Sequence, residues 1–94
     1  MFILTQRVRP DPEVVDTELE GEGAVLLHLE SQVYFSLNET GTLIWKAMKQ
    51  GLTLQEICHR LQKEFQVGED QAEQSALALM RELAQHKLVQ KEET

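Results

Sequence analysis

Cysteine is all but missing from this chain: among 94 residues only Cys58 is found, so no internal disulfide forms and a reducing compartment fits. Proline is nearly as scarce, with both copies in the run Pro10-Asp11-Pro12. Uninterrupted apolar runs are short, Ala24 to Leu27 among them, which excludes a helix crossing a bilayer. The opening MFILTQRVRP places its apolar residues before its arginines, the reverse of a secretory signal, so the chain reads as cytoplasmic. Basic residues are few, 9 against 16 acidic ones, for a net charge of −7. A field of that sign repels phosphate backbones and argues for a neutral or basic partner and against nucleic acid.

The residues that carry chemistry are thin as well. His28, His59 and His86 have no second ligand at i+3 or i+4, which argues against a metal site. Gly21-x-Gly23 has no helix after it and makes no phosphate loop. Ser31 and Ser36 lack an ordered histidine and acid, and Cys58 lacks a base. The pairs Glu69-Asp70 and Glu92-Glu93 suit a helix start and a solvated terminus, whereas an acid/base dyad needs a desolvated carboxyl group. The chain reads as a binding protein without cofactor, not an enzyme.

What is present is an ordinary globular composition, 41% hydrophobic and 27% charged, in a length that makes one domain over residues 1–94. Residues 1–13 form an extended, irregular lead-in, and 90–94 a frayed tail around a core of 14–89. Alternation predicts strands over 14–19, 24–29 and 32–37, joined by a turn at Gly21-Glu22-Gly23 and a tight connection at Glu30-Ser31. Asn38 suits an N-cap for a helix carrying Leu43, Ile44, Ala47 and Met48, with Trp45 beside them, and Gly51 ends it. Thr53 and Glu56 spell a capping box for a second helix bearing Leu54, Ile57, Cys58, Leu61 and Phe65. Cys58 in that pattern is a small buried hydrophobe. A third helix follows over about 70–86, and Leu88-Val89 adds a short extended tail. Strands first and helices after predict an α+β domain with a three-stranded antiparallel sheet.

Two features exceed what such a core needs. In QVYFSL, residues 32–37, Val33, Phe35 and Leu37 share one face, yet Tyr34 on the other is aromatic where a solvated strand is usually polar. In the third helix Ala72, Ala76, Leu79 and Leu83 form a seam, while Leu77 and Ala84 continue sideways, with Met80 between the two seams and Arg81 at the border. Packing of three helices on two contact faces accounts for that wide arc, and a groove wall accounts for it too.

The segment VLLHLESQVYFSLNETGTLIWKAM, the junction Leu37-Asn38-Glu39-Thr40-Gly41, the Ile44-Trp45 pair and the L-T-x-x-E-I turn together resemble the PqqD-like proteins, or precursor-peptide recognition elements, over residues 14–89. The resemblance implies a winged helix-turn-helix-like domain that binds the leader of a ribosomally made precursor peptide and presents it to a modifying enzyme. It implies that the leader adds as an antiparallel strand to the third strand and packs on the third helix. Mapped by position, the site is Gln32, Val33, Tyr34, Phe35 and Ser36 with Leu77, Met80, Arg81 and Ala84. On this mapping Tyr34 and its neighbours form one side of an open cleft. The branch it most resembles is the stand-alone protein of lasso-peptide pathways, which delivers a leader with a Tyr-x-x-Pro element to a leader peptidase. The alternative is a partner of a radical SAM enzyme, as in quinone cofactor biosynthesis.

Two other classes compete. Helix-turn-helix topology often means DNA binding, but residues 70–87 carry Asp70, Glu73 and Glu82 against Arg81 and Lys87, with no basic face. A structural subunit that pairs through an exposed strand edge is the other.

Overall fold

The structure is a computed structural model that describes residues 6–19 and 23–91. Its elements are β1 (Val8–Pro10), β2 (Val14–Glu18), β3 (Ala24–His28), β4 (Val33–Leu37), α1 (Glu39–Lys49), α2 (Leu54–Phe65), α3 (Glu69–Gln85) and β5 (Val89–Lys91). The expected meander is present as an antiparallel sheet of order β2-β3-β4, and three helices follow it. The fold is α+β and winged helix-turn-helix-like. Most of the turn expected at 21–23, the first five residues and the end of the tail lie outside the described residues.

Register explains which side chains are buried. Opposite partners in the meander are Val14, His28 and Val33; Asp16, Leu26 and Phe35; and Glu18, Ala24 and Leu37. These share the inner face, where Leu26 and Ala24 are sealed against the helices. Both helix starts behave as their sequences dictate. Asn38 Oδ1 accepts from the Gly41 N–H at 2.8 Å, and Thr53 and Glu56 form the reciprocal capping box. Bonds from the Thr53 backbone and side chain hold the Glu56 carboxyl below its usual range. Cys58 is buried, and burial, reinforced by the Glu73 and Glu69 charges, pushes its thiol up, so it is an inert core residue.

Two expectations change. Residues 8–10 of the lead-in are a strand, β1, which pairs antiparallel with β5 to make a second, two-stranded sheet. Three residues are too few to show an alternating pattern, and their partner lies some eighty positions away, so only the closed chain reveals the pairing. Val8, Leu88 and Val89 are buried there. The second change is the seam of α3: Ala72, Ala76, Met80 and Leu83 are the sealed positions, while Leu79 is half-buried. Leu79 and Met80 stand about 100° apart around the helix, and it is Met80 that faces the core packed against α2.

One polar contact ties sheet to helix. Asp16, on the inner face of β2, accepts from Trp45 Nε1–H at 2.5 Å and from Lys49 Nζ at 2.6 Å, so Trp45 is a core aromatic with its only polar atom satisfied. Burial raises the Asp16 pKa, but the bonds from Lys49 and Trp45 outweigh it and hold the carboxyl below the ordinary 3.8. Asp16→Ala strands the buried indole N–H and should cost about 1–3 kcal/mol in urea denaturation. Because the folded pKa is depressed, the charge contributes stability above pH 3.8 that is lost as pH falls through the lower folded value. The gap between wild type and Asp16→Asn should therefore close in acid.

Candidate functional site

The backbone phase of β4 follows from two hydrogen bonds elsewhere in the sheet. In an antiparallel ladder the N–H and C=O of one residue point the same way, and the direction alternates along the strand. Leu29 N–H donates to Glu13 O at 2.9 Å and Leu19 N–H to Gly23 O at 3.1 Å, so the odd positions of β3 bond toward β2. The even positions Ala24, Leu26 and His28 then bond toward β4, where their partners are Leu37, Phe35 and Val33. Tyr34 and Ser36 are left with N–H and C=O directed outward, along the edge of β4 that no strand among the described residues pairs. Gln32 does not join them: it lies outside the strand in the left-handed region (φ 60°), and its N–H donates to His28 O at 2.7 Å.

Side chains follow the opposite parity. Val33 and Phe35 project to the inner face and stay half-buried. Tyr34 projects to the outer face, 69% exposed, so it offers its backbone to the edge and not its ring to the cleft, contrary to the sequence expectation.

The helix wall is set by what α3 shows to β4. The Phe35 ring meets the His86 ring with centroids 5.7 Å apart. Farther up the helix, Gln71 and Ser75 line a small cavity with Thr40, just beyond the end of β4, and with Leu61, Phe65 and Val67 at the end of α2. Spacings of 4, 4, 3 and 4 put Gln71, Ser75, Leu79, Glu82 and His86 on one helical face, which is thus the face toward the strand. Leu79 and Phe35 are its half-buried hydrophobics. Elsewhere α3 packs chiefly on α2 and β5.

The wall residues expected from the sequence stand elsewhere on α3. At about 100° per residue, Leu77, Arg81 and Ala84 stand roughly 180°, 140° and 160° around the helix from His86. They lie on the far side of α3 from Phe35. Met80 is 0% exposed, a core residue whose side chain reaches no groove. The structure groups Val33, Tyr34, Phe35 and Ser36 on β4, and the α3 face beside Phe35 carries Ser75, Leu79, Glu82 and His86, residues outside the sequence mapping. Of these only Leu79 had a sequence signal, as part of the wide apolar arc; the polar Ser75, Glu82 and His86 had none.

At the Val33 end of β4 lies a cavity of about 640 Å³ lined by Asp11, His28, Glu30, Ser31, Val33, Gln85, His86 and Lys87. His28 is buried; its Nδ1 accepts from the Ser31 N–H at 3.3 Å, so the proton of the neutral ring sits on Nε2, 3.7 Å from Asp11. Among the described residues no group of three His, Cys, Asp or Glu side chains is placed to hold a metal ion. No helix among them is long and apolar enough to cross a membrane. Glu69 and Asp70 form the exposed first turn of α3, so the end of the helix that would meet a DNA groove is acidic.

The family described as coenzyme PQQ synthesis protein D (PqqD) matches residues 23–89. A solved structure of TbiB1 in complex with the TbiA(beta) leader peptide is 28% identical, with a TM-score of 0.82 over 87% of this chain and 94% of that one. A second, lasso peptide synthetase B1 complexed with the leader peptide, is 27% identical, with a TM-score of 0.82 over 89% of this chain and 98% of that one. No curated protein sequence matches the chain.

Proposed function

This chain belongs to the PqqD family, and from that premise we propose that it binds the leader of a ribosomally synthesised precursor peptide in the groove between β4 and α3 and delivers it to a modifying enzyme, without a catalytic step of its own. The observation that carries the reading is the free edge of β4, where Tyr34 and Ser36 direct unpaired backbone groups beside the half-buried side chains of Phe35 and Leu79. An added strand completes the ladder whatever its sequence, and the pockets against Val33, Phe35, Leu79 and His86 select its inward side chains. The opposite edge, β2, is less suited. Its inner face is taken by Asp16 and Glu18, paired to Lys49 and Lys46 of α1.

An antiparallel leader runs from the Leu37 end of β4 to the Val33 end, so the residues following its paired segment enter the cavity at His28 and His86. There the Nε2–H of His28 is a donor for a peptide carbonyl or a hydroxyl. Similarity to two leader-bound structures, one of them a lasso peptide synthetase component, supports a lasso leader and a separate leader peptidase over a radical SAM partner.

Fluorescence anisotropy with labelled leaders from precursor genes encoded beside this one tests the reading. Saturable binding, roughly micromolar or tighter, that disappears with a scrambled leader is expected. Binding that ignores the scrambling, or no binding to any leader, would refute it.

A further inference from the structure

The outer face of the sheet is patterned backwards for a surface. On β2 the charged residues Asp16 and Glu18 point inward to the helices, while Val15 points to solvent, 46% exposed. The same outer parity carries Val25, Leu27 and Tyr34, and Leu29 continues it, since its N–H bond to Glu13 O extends the ladder. Three of the four exposed large hydrophobics among the described residues, Val15, Leu29 and Tyr34, are on this face. The remaining strand positions on it are Thr17 and Ser36, so none within β2, β3 or β4 is charged; the extension that carries Leu29 brings one charge, Glu13, to the far end of the face. Among the described residues nothing covers it: the helices and the buried core occupy the other side.

Size decides what can sit there. Three strands about 4.8 Å apart and five residues at about 3.4 Å outline roughly 250 Å². A stable dimer needs on the order of 800 Å² per partner, so a second copy would not be held by this face alone. The face is, however, continuous with the leader site. A strand added to β4 becomes the fourth strand of the sheet, and its outward side chains extend the outer face beside Tyr34 and Ser36.

Resting on the leader-binding reading, we propose that the outer face of β2-β3-β4, completed by the leader strand, is the docking surface for the enzyme that acts on the downstream part of the same peptide. That partner presents a small, uncharged apolar patch. Alone the contact is weak. Once the enzyme also holds the downstream segment, the peptide tethers the two proteins at an effective concentration of order millimolar, and a weak patch suffices. Docking is therefore leader-dependent, and an unloaded chain does not compete for the enzyme.

The test uses Val15→Lys with Leu29→Lys, two exposed positions on the strands away from the leader edge. The probes are the labelled leader, its full precursor, and the processing enzyme encoded beside this chain. The double variant is expected to keep its urea midpoint and to bind leader within twofold of wild type. Stimulation of precursor processing by it should fall at least tenfold, as should assembly of the ternary complex in sedimentation. Processing and assembly equal to wild type would overturn the proposal, and so would equally tight binding of the enzyme by leader-free wild type. A concentration-dependent wild-type dimer that the variant abolishes would assign the face to a second copy and overturn it as well. Wild type that binds no leader in the same titration would instead sink the underlying leader-binding reading, and this proposal with it.

Discussion

Met80→Glu should abolish cooperative folding, whereas Leu79→Glu, one position earlier, should leave a folded protein that has lost the leader. Met80 is fully buried between α3 and the rest of the core, so the substitution removes packing worth about 2–5 kcal/mol and also forces a carboxylate into an apolar site. A domain of this size has roughly 5–14 kcal/mol of stability in total, and the two penalties together consume most or all of it. Leu79 is half-buried on the strand-facing side of α3, where a carboxylate reaches water but sits in the path of the leader's apolar anchors. Circular dichroism melts combined with leader anisotropy separate the two cases. A folded Met80→Glu with normal leader affinity would contradict the packing described for α3, and a Leu79→Glu that binds normally would contradict the assignment of the groove wall.

Ser36→Pro and Phe35→Pro make a second contrast with large effects of different kinds. The N–H of Ser36 points to the outer edge, so on the proposed function proline removes a donor reserved for the leader and puts a ring where its backbone would approach. Leader affinity should fall at least tenfold while the sheet persists, as edge strands tolerate proline when the lost N–H faces outward. The N–H of Phe35 is part of the ladder to Leu26. Proline there breaks the sheet at its centre and should cost about 3 kcal/mol or more, visible as a lowered urea midpoint before any leader is added. A Ser36→Pro that lowers the urea midpoint while Phe35→Pro keeps it and loses only leader affinity would mean that the phase of β4 is reversed.

Much of this fold was legible because its signals are local. Asn38 caps α1, and Thr53 with Glu56 starts α2 at the expected residue, since a cap needs only three or four consecutive positions to form its hydrogen bonds. The strands at β2, β3 and β4 declared themselves by alternation, and one residue of disagreement at their ends is ordinary fraying of a ladder. The site was half legible for the same reason. Period two showed that Phe35 and Tyr34 face opposite ways, but not which side had the helix, and the aromatic ring drew attention to the wrong one. On α3 the wide apolar arc was visible, but choosing its edges required knowing where α2 and β4 lie around the helix. That rotation is a tertiary quantity. Leu79 and Met80 differ by a single step on the wheel, and their exposure was decided by contacts with α2 and the core.

By itself, then, the sequence determined the order and kind of the elements in the meander and the three helices, the absence of disulfide, and the acidic surface, because composition, periodicity and caps act over a few residues. The tertiary structure alone decided three things: that β1 closes on β5 across the length of the chain, that Tyr34 and Ser36 are the residues whose backbone faces the open edge, and that Leu79 and His86, not Leu77 and Arg81, look across the groove. Each depends on the direction a group points relative to a distant neighbour, and direction is settled only when the core packs.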